Sequence, residues 1–393
     1  MLKGKVVVLG VTGSIAAYKA ADLASKLVQA GASVDVVLTP SATEFVTPLT
    51  FRSLTPGSVI VDMFEAAIEH VELARRADVV VVAPATATTI ARLAHGLAED
   101  MVSLTVLATK APVLVCPAMD SQMFENPATQ ANLETLRARG MTIVEPEMGR
   151  LASGRMGPGR LPDSQVILGA IRHVLGRGGD LAGRKVVVTA GGTREPIDPV
   201  RYVGNYSSGK MGYAVAEAAR DRGAEVVLVS APTALPTPYG VRLVPVQQAA
   251  EMRDAVVGEC RDAQALVMAA AVADYRPSAT VEQKMKRHAE TLSLELTRTP
   301  DILAEAGKGF IRVGFAAESE ELVANARRKL ESKGLDLIVA NDITGPETAF
   351  DADTNRVVIL DRAGGEERLP VMTKYEVARR ILDRVVELLA KGS

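Results

Sequence analysis

One unit of sequence grammar, used twice, constrains this chain's fold more than anything else in it. KVVVLGVTGSIAAYKAADLASKLVQAGASVDVVLTPSA from Lys5, and KVVVTAGG from Lys185 with SSGKMGYAVAEAARDRGAEVVLVSAPT from Ser207, share the order strand, loop, helix, glycine, strand. Short β-branched runs alternating with helical patterns predict parallel sheets covered by helices on both faces. In the first half the runs fall at Lys5–Leu9, Ser33–Leu38, Asp78–Ala83, Pro112–Cys116 and Met141–Val144, with a closing helix over Ser164–Leu175. In the second they fall at Lys185–Thr189, Glu225–Ser230, Ala265–Ala269, Ile311–Phe315 and Asp336–Ala340, followed by a strand at Arg356–Leu360 and a helix at Thr373–Lys391. Between the halves GRGGDLAG breaks the pattern with four glycines. The reading is α/β, with two Rossmann-like doubly wound parallel-sheet domains at 1–176 and 185–393 and a linker at 177–184.

Composition removes several function classes. A net charge of −2 and a pI near 6.2 give no electrostatic reason for nucleic acid or an anionic membrane. Aromatic content of 4% with no Trp leaves little for base stacking. The longest apolar run, around Val79–Ala85, is of strand length. Met1–Ala17 superficially resembles a signal peptide but reads better as strand, loop and helix. Cys116 and Cys260 form no CxxC pair, so a reducing, cytoplasmic setting is expected, without thiolate-bound metal.

The two halves differ most in the loop after the first strand. From Thr189 to Gly212 the second half reads TAGGTREPIDPVRYVGNYSSGKMG. Strand-to-helix loops in parallel sheets usually take about two to six residues, so this one is expected to hold a ligand. Its glycines admit close backbone approach, and Ser207, Ser208, Gly209 and Lys210 open a helix suited to phosphate. In the first half Gly10–Ser14 is neither GxGxxG nor a P-loop, and the second strand ends in Thr39-Pro40-Ser41 rather than in the acid that holds a dinucleotide ribose. Gly13, Ser14 and Thr39 therefore favour a mononucleotide such as FMN over NAD. The loops Ala83–Thr89 and Pro117–Met123 join them at the carboxyl edge, and His70 is the histidine best placed to reach that edge. His95, His173 and His288 are read as packed or solvated residues.

GVTGSIAAYKA, His70 before ARRADVVVVAPATA, PAMDSQM and ASGRMGPGR resemble the flavin-dependent cysteine decarboxylases. TAGGTREPIDPVRYVGNYSSGKMG, AAAVADYRP, QKMK, GFAAE and VAND resemble phosphopantothenoylcysteine synthetase. In this order they resemble the bacterial bifunctional coenzyme A biosynthesis proteins over nearly the whole chain. That resemblance implies a flavodoxin-like flavoprotein domain followed by a synthetase domain. The second half would activate 4′-phosphopantothenate with CTP and Mg²⁺ as an acyl-cytidylate, which L-cysteine attacks. The first half would decarboxylate the product to 4′-phosphopantetheine with FMN. It further implies His70 as the decarboxylase base, and flavin contacts from Gly13, Ser14, Thr39, Pro84, Thr86 and Thr88, with Ser103 at the phosphate rim. In the ligase half it implies Asn205 in turnover of the acyl-cytidylate and Lys284 as the principal nucleotide or acyl-phosphate contact. Ala270, Ala271, Asp274 and Phe315 would form the nucleotide wall, Lys329 and Lys333 would reach phosphates, and Asn341 would contact ligand. It also implies a homo-oligomer, with decarboxylase trimers and synthetase dimers combining into a twelve-subunit particle. Metal ligands are not legible.

Two positions depart from the family's pattern. Asp120, after Met119, stands where PAMN carries the Asn that binds the substrate carboxylate, and an ionised Asp would repel it unless it keeps its proton or another group binds. Ser153 stands where the flap usually has the Cys that helps return electrons and a proton; Arg155 and Arg160 flank it as anion contacts. The complete reaction is nonetheless expected. A flavin-binding regulatory protein with a degenerate decarboxylase half and a nicotinamide oxidoreductase are the competing readings.

Overall fold

Six apolar residues, Val6–Val11, form β1, and it pairs in parallel with β2 (Ser33–Leu38) and later with β4 (Val79–Ala85). The computed structural model describes residues 2–63, 69–286, 293–318, 321–342 and 351–391; His288 lies outside them. With β3 (Val59–Ile60), β5 (Val113–Pro117) and β6 (Thr142–Ile143) the sheet runs in the order β3-β2-β1-β4-β5-β6. The order reverses between β1 and β4, where an open parallel sheet leaves a crevice at its carboxyl edge. Val7, Val8 and Leu9 are all buried, as a strand covered on both faces requires. An antiparallel hairpin of β7 (Glu147–Arg150) and β8 (Met156–Arg160) then projects from the sheet before the helix Ser164–Gly176.

Contacts divide the chain into units Met1–Leu175 and Gly176–Ser393. In the second, the central strands are β9 (Lys185–Ala190), β12 (Glu225–Ser230), β13 (Arg242–Pro245), β14 (Ala265–Met268), β17 (Ile311–Glu318) and β18 (Leu337–Asp342). Two short ribbons lie outside that sheet: β10 (Arg194–Pro196) with β11 (Tyr202–Gly204), and β15 (Tyr275–Pro277) with β16 (Leu296–Arg298). After β19 (Thr354–Asn355) come β20 (Val357–Asp361) and β21 (Glu366–Arg368), which complete the order β13-β12-β9-β14-β17-β18-β20-β21. The last two pair antiparallel, so the doubly wound sheet has a mixed edge. Alternate residues feed the two cores: Val186, Val188, Val226 and Leu228 face one, Val187, Val227 and Val229 the other. The switch point lies between β9 and β14.

The glycine-rich segment expected as a linker packs within the second unit. Leu181 is fully buried in its core, and its N–H donates to Arg222 O at 3.0 Å. A Cβ on Gly179 would fall 2.3 Å from Arg222 O, so glycine is what lets the backbone approach. The long loop expected between Thr189 and the helix contains the β10–β11 ribbon, and its helix begins at Lys210, capped by Gly209 at φ 76°.

Candidate active sites

In the first unit, Thr12 ties the loops after β1 and β4 together. Its hydroxyl donates to Pro84 O at 2.7 Å and accepts from Thr86 N at 3.1 Å. Gly13 leaves no room for a side chain, since a Cβ there would sit 2.4 Å from Ser41 Cβ. Beside it Thr39 is 5% exposed, yet its Oγ1 has no hydrogen-bond partner. A buried hydroxyl without a partner is costly unless a ligand completes it. Thr86 caps the helix Ala87–His95 through Thr89 N, and Thr88 is exposed on that helix's first turn. Ser103 is otherwise committed: its N–H and hydroxyl complete a capping box with Asp100, so its side chain is spent on the helix start rather than on the rim.

A cavity of about 500 Å³ gathers Ser14, Met119, Asp120, Ser153 and Arg160. Lys19 and Arg150 also line it, and the sequence reading missed both. The hairpin is fixed over this cavity by Met119 N donating to Gly159 O at 3.0 Å. Gly159 has φ 133°, and a Cβ there would fall 2.1 Å from Met119 O. At its tip Ser153 Oγ donates to Asp120 Oδ2 at 2.6 Å. That bond, Gln122 N–H and the charge of Arg155 hold the Asp120 carboxyl below the usual carboxylate range. Of the two ways in which Asp120 could tolerate a substrate carboxylate, these contacts disfavour a retained proton and favour neutralisation by another group. Burial and Arg160 push the Lys19 ammonium down. Arg155 does not line the cavity; its carbonyl accepts Leu151 N–H inside the tip. His70, on the helix Glu69–Arg76, does not line it either, and its Nδ1 is buried without a partner.

In the second unit the two loops at the switch point are stapled to each other. Ala271 N donates to Gly191 O at 2.8 Å, Thr193 N to Ala271 O at 3.2 Å, and Ala273 N to Thr193 Oγ1 at 3.0 Å. Asn205 joins them through Nδ2 to Val272 O at 3.1 Å. A cavity of about 530 Å³ follows, lined by Asn205, Ser207, Ser208, Gly209 and Lys210 on one side and by Ala270, Ala271, Asp274, Phe315, Lys329 and Asn341 on the other. Asn341 lies near the end of β18 rather than in a following loop, and its Oδ1 is buried without a partner. Asn355 and Lys374 also line this cavity and escaped the sequence reading.

An adjoining cavity of about 630 Å³ shares Ala270, Asp274, Phe315 and Lys329 with the first. Lys333 lines it, paired with Asp301 at 2.5 Å, as do Pro300, Asp301, Ile302 and Leu303, which sequence reasoning passed over. Lys329 Nζ donates to Phe315 O at 2.9 Å. Lys284 lines neither cavity. It is exposed on a segment docked against the β10–β11 ribbon, where Asp198 accepts Met285 N–H and Arg201 donates to Met285 O. Among the described residues no three His, Cys, Asp or Glu side chains converge as a metal cage, and no helix is long and apolar enough to cross a membrane.

Residues 1–176 match the family model described as Flavoprotein, and residues 181–389 that of the DNA/pantothenate metabolism flavoprotein C-terminal domain. The chain is 46% identical over 398 aligned residues to the Coenzyme A biosynthesis bifunctional protein CoaBC of Bacillus subtilis (strain 168), covering 99% of this chain and 98% of that one. The protein of the same name from Escherichia coli (strain K12) is 43% identical, with 98% and 97% covered. A solved C-terminal domain of a CoaBC protein is 41% identical over 54% of this chain and 99% of its own, with a TM-score of 0.47.

Proposed function

The chain belongs to the bifunctional coenzyme A biosynthesis proteins, a decarboxylase half followed by a ligase half, and from that premise we propose how its own residues divide the work. The regulatory alternative, a flavin-binding protein without catalysis, finds no support in either family match. In the second unit CTP activates the carboxylate of 4′-phosphopantothenate, releasing pyrophosphate, and the amine of L-cysteine displaces the nucleotide. The observation that supports this reading is the stapled double wall, since Asn205, which we assign to the acyl group, lines one cavity with Asp274 and Phe315. Ser207, Ser208, Gly209 and Lys210 take phosphate charge at a helix start, which stabilises the transition state where negative charge shifts to the leaving group. Lys329 and Lys333 reach toward phosphates from the adjoining cavity. Mg²⁺ is carried chiefly by the phosphates, as that ion commonly is. Lys284 acts from the docked segment, and loss of pyrophosphate release in Lys284→Ala with flavin retained is the expected result.

In the first unit the residues suit FMN. Gly13 supplies close approach, and the buried Thr39 hydroxyl lacks a partner that a phosphate or ring oxygen would provide. When bound, the flavin supplies the two-electron chemistry of decarboxylation. Arg160 and Lys19, which line the cavity, neutralise the substrate's anionic groups, and Ser153 holds the flap tip to Asp120; His70, outside that lining, is assigned the proton by the family resemblance. Assembly of copies is read from the family resemblance alone, as trimers and dimers in a twelve-subunit particle. The reactions belong in the cytoplasm.

Product analysis with 4′-phosphopantothenate, cysteine, CTP and Mg²⁺ tests both halves. We expect a yellow protein, pyrophosphate release that requires phosphopantothenate, and 4′-phosphopantetheine as product. An oxidised enethiol as the sole product would refute completion of the second reaction. A monomer by light scattering would refute the shared assembly.

A further inference from the structure

We propose that Asp198 is the positioning residue for Lys284, fixing the backbone from which that lysine serves the second unit's reaction; the assignment rests on the ligase reading. Asp198 opens the turn between β10 and β11, with Pro199 next, the order that such turns favour. Its two carboxylate oxygens have different tasks. Oδ1 accepts Val200 N–H and Arg201 N–H, each at 2.8 Å, and so closes the turn. Oδ2 accepts the Arg201 side chain, from Nε at 3.0 Å and Nη2 at 2.5 Å, and reaches outside the turn to Met285 N–H at 3.2 Å.

The same pair grips Met285 at a second point, since Arg201 Nη2 donates to Met285 O at 3.1 Å. Two more bonds lead up to it: Val281 N–H donates to Ile197 O at 3.1 Å, and Thr280 Oγ1 to Pro196 O at 3.3 Å. Residues 278–284 are exposed and form neither helix nor strand, so apolar burial contributes little and the polar contacts decide where this backbone sits. Lys284 is the neighbour of the gripped residue. Its side chain is a point charge on a flexible four-carbon stem, so a fixed backbone confines where the ammonium can go.

The Asp198 side chain is fully buried, where a carboxylate without partners would be costly. The Arg201 side chain holds that carboxyl far below the usual carboxylate range against the opposing effect of burial, and the Val200, Arg201 and Met285 N–H groups add to it. The acceptor is therefore an anion in any neutral assay. Beyond the turn, β11 runs directly into Asn205, which lines the ligase cavity and donates to Val272 O at 3.1 Å. One ribbon thus carries Asn205 at its end and the anchor of the Lys284 segment at its turn.

Asp198→Asn is the informative change. The amide oxygen can still accept at the Oδ1 position and close the turn, while its NH2 would face Met285 N–H and Arg201, donor against donor. In the full-length protein with 4′-phosphopantothenate, CTP, Mg²⁺ and L-cysteine, Asp198→Asn should lower kcat for pyrophosphate release about tenfold or more, as misplacing a positioned group does. Lys284→Ala and the double variant complete a cycle. If Asp198 acts through Lys284, adding Asp198→Asn to Lys284→Ala costs nothing further; losses that multiply overturn the proposal, because a merely structural carboxylate would damage both backgrounds alike. Hydrogen exchange at the Met285 amide should be faster in Asp198→Asn, and unchanged exchange also overturns it. Should Asp198→Asn fail to fold, Met285→Pro, which deletes the N–H and leaves the turn whole, takes its place in the cycle, and multiplying losses overturn the proposal there too. Parental turnover in Lys284→Ala, with Met285 exchange still governed by Asp198, would uphold the anchor and strike the ligase role of Lys284 instead.

Discussion

Two hydroxyls in the first unit have opposite situations. The Thr39 Oγ1 is buried and unpartnered, so its interaction energy is available to a ligand. Thr39→Val keeps the shape and removes that bond; flavin should bind about tenfold more weakly, at roughly 1.5 kcal/mol for one bond to a charged group, with Thr39→Ser close to the parent. Flavin absorbance per mole of purified protein measures it. Ser153, by contrast, already donates to Asp120, and this is the largest influence holding that carboxyl low. A depressed carboxyl stays ionised to lower pH. Ser153→Ala lets it rise, so any rate that needs the Asp120 anion should lose its acid limb at a higher pH than in the parent. A decarboxylation profile whose acid limb does not move would show that Asp120 ionisation does not govern the rate. That Gly13 and the loop holding Asn205 lie at the carboxyl edge was legible because loops after strands, in a parallel sheet, land on one edge, whereas Asp274 was named from the family resemblance alone. Lys374 was not legible: a lysine opening a terminal helix ordinarily points to water, and only the fold shows it buried.

Among the elements, the repeated strands and their helices were readable from the alternation of β-branched and helical runs, and β2 and β12 fall where expected. The β7–β8 hairpin was not, because MGPGR carries glycines and a proline instead of alternating side chains. The β10–β11 ribbon spans three residues a side, too few for a periodicity to show. Pro300–Leu303 reaches the wall of the adjoining cavity because the chain folds back past β15 and β16, and nothing local announces that. The hairpin also gives a prediction of its own. Gly159→Ala places a Cβ 2.1 Å from Met119 O in a backbone conformation L-residues avoid, so the flap should detach. Proteolysis within 147–160 should accelerate while the second unit melts unchanged; a flap as resistant as the parent's would contradict the pinning seen here.

At the scale of the molecule, the second unit takes in Gly176 and the segment 177–184 expected as a linker. Leu181 is fully buried, and its burial contributes roughly 1.5–3 kcal/mol. A second-unit fragment starting at Gly176 should therefore outlast one starting at Arg184 in urea, with a higher midpoint. Equal midpoints would make the segment a mere tether. The same core has a temporal consequence. It joins Leu181, near the unit's first residue, to Val377, Ile381 and Val385 in its last helix. On the ribosome, the first unit can close as soon as its own chain has emerged. The second must wait until the helix Lys374–Lys391 has emerged, so a message truncated before Lys374 leaves a finished flavoprotein half and a ligase half that never acquires its floor.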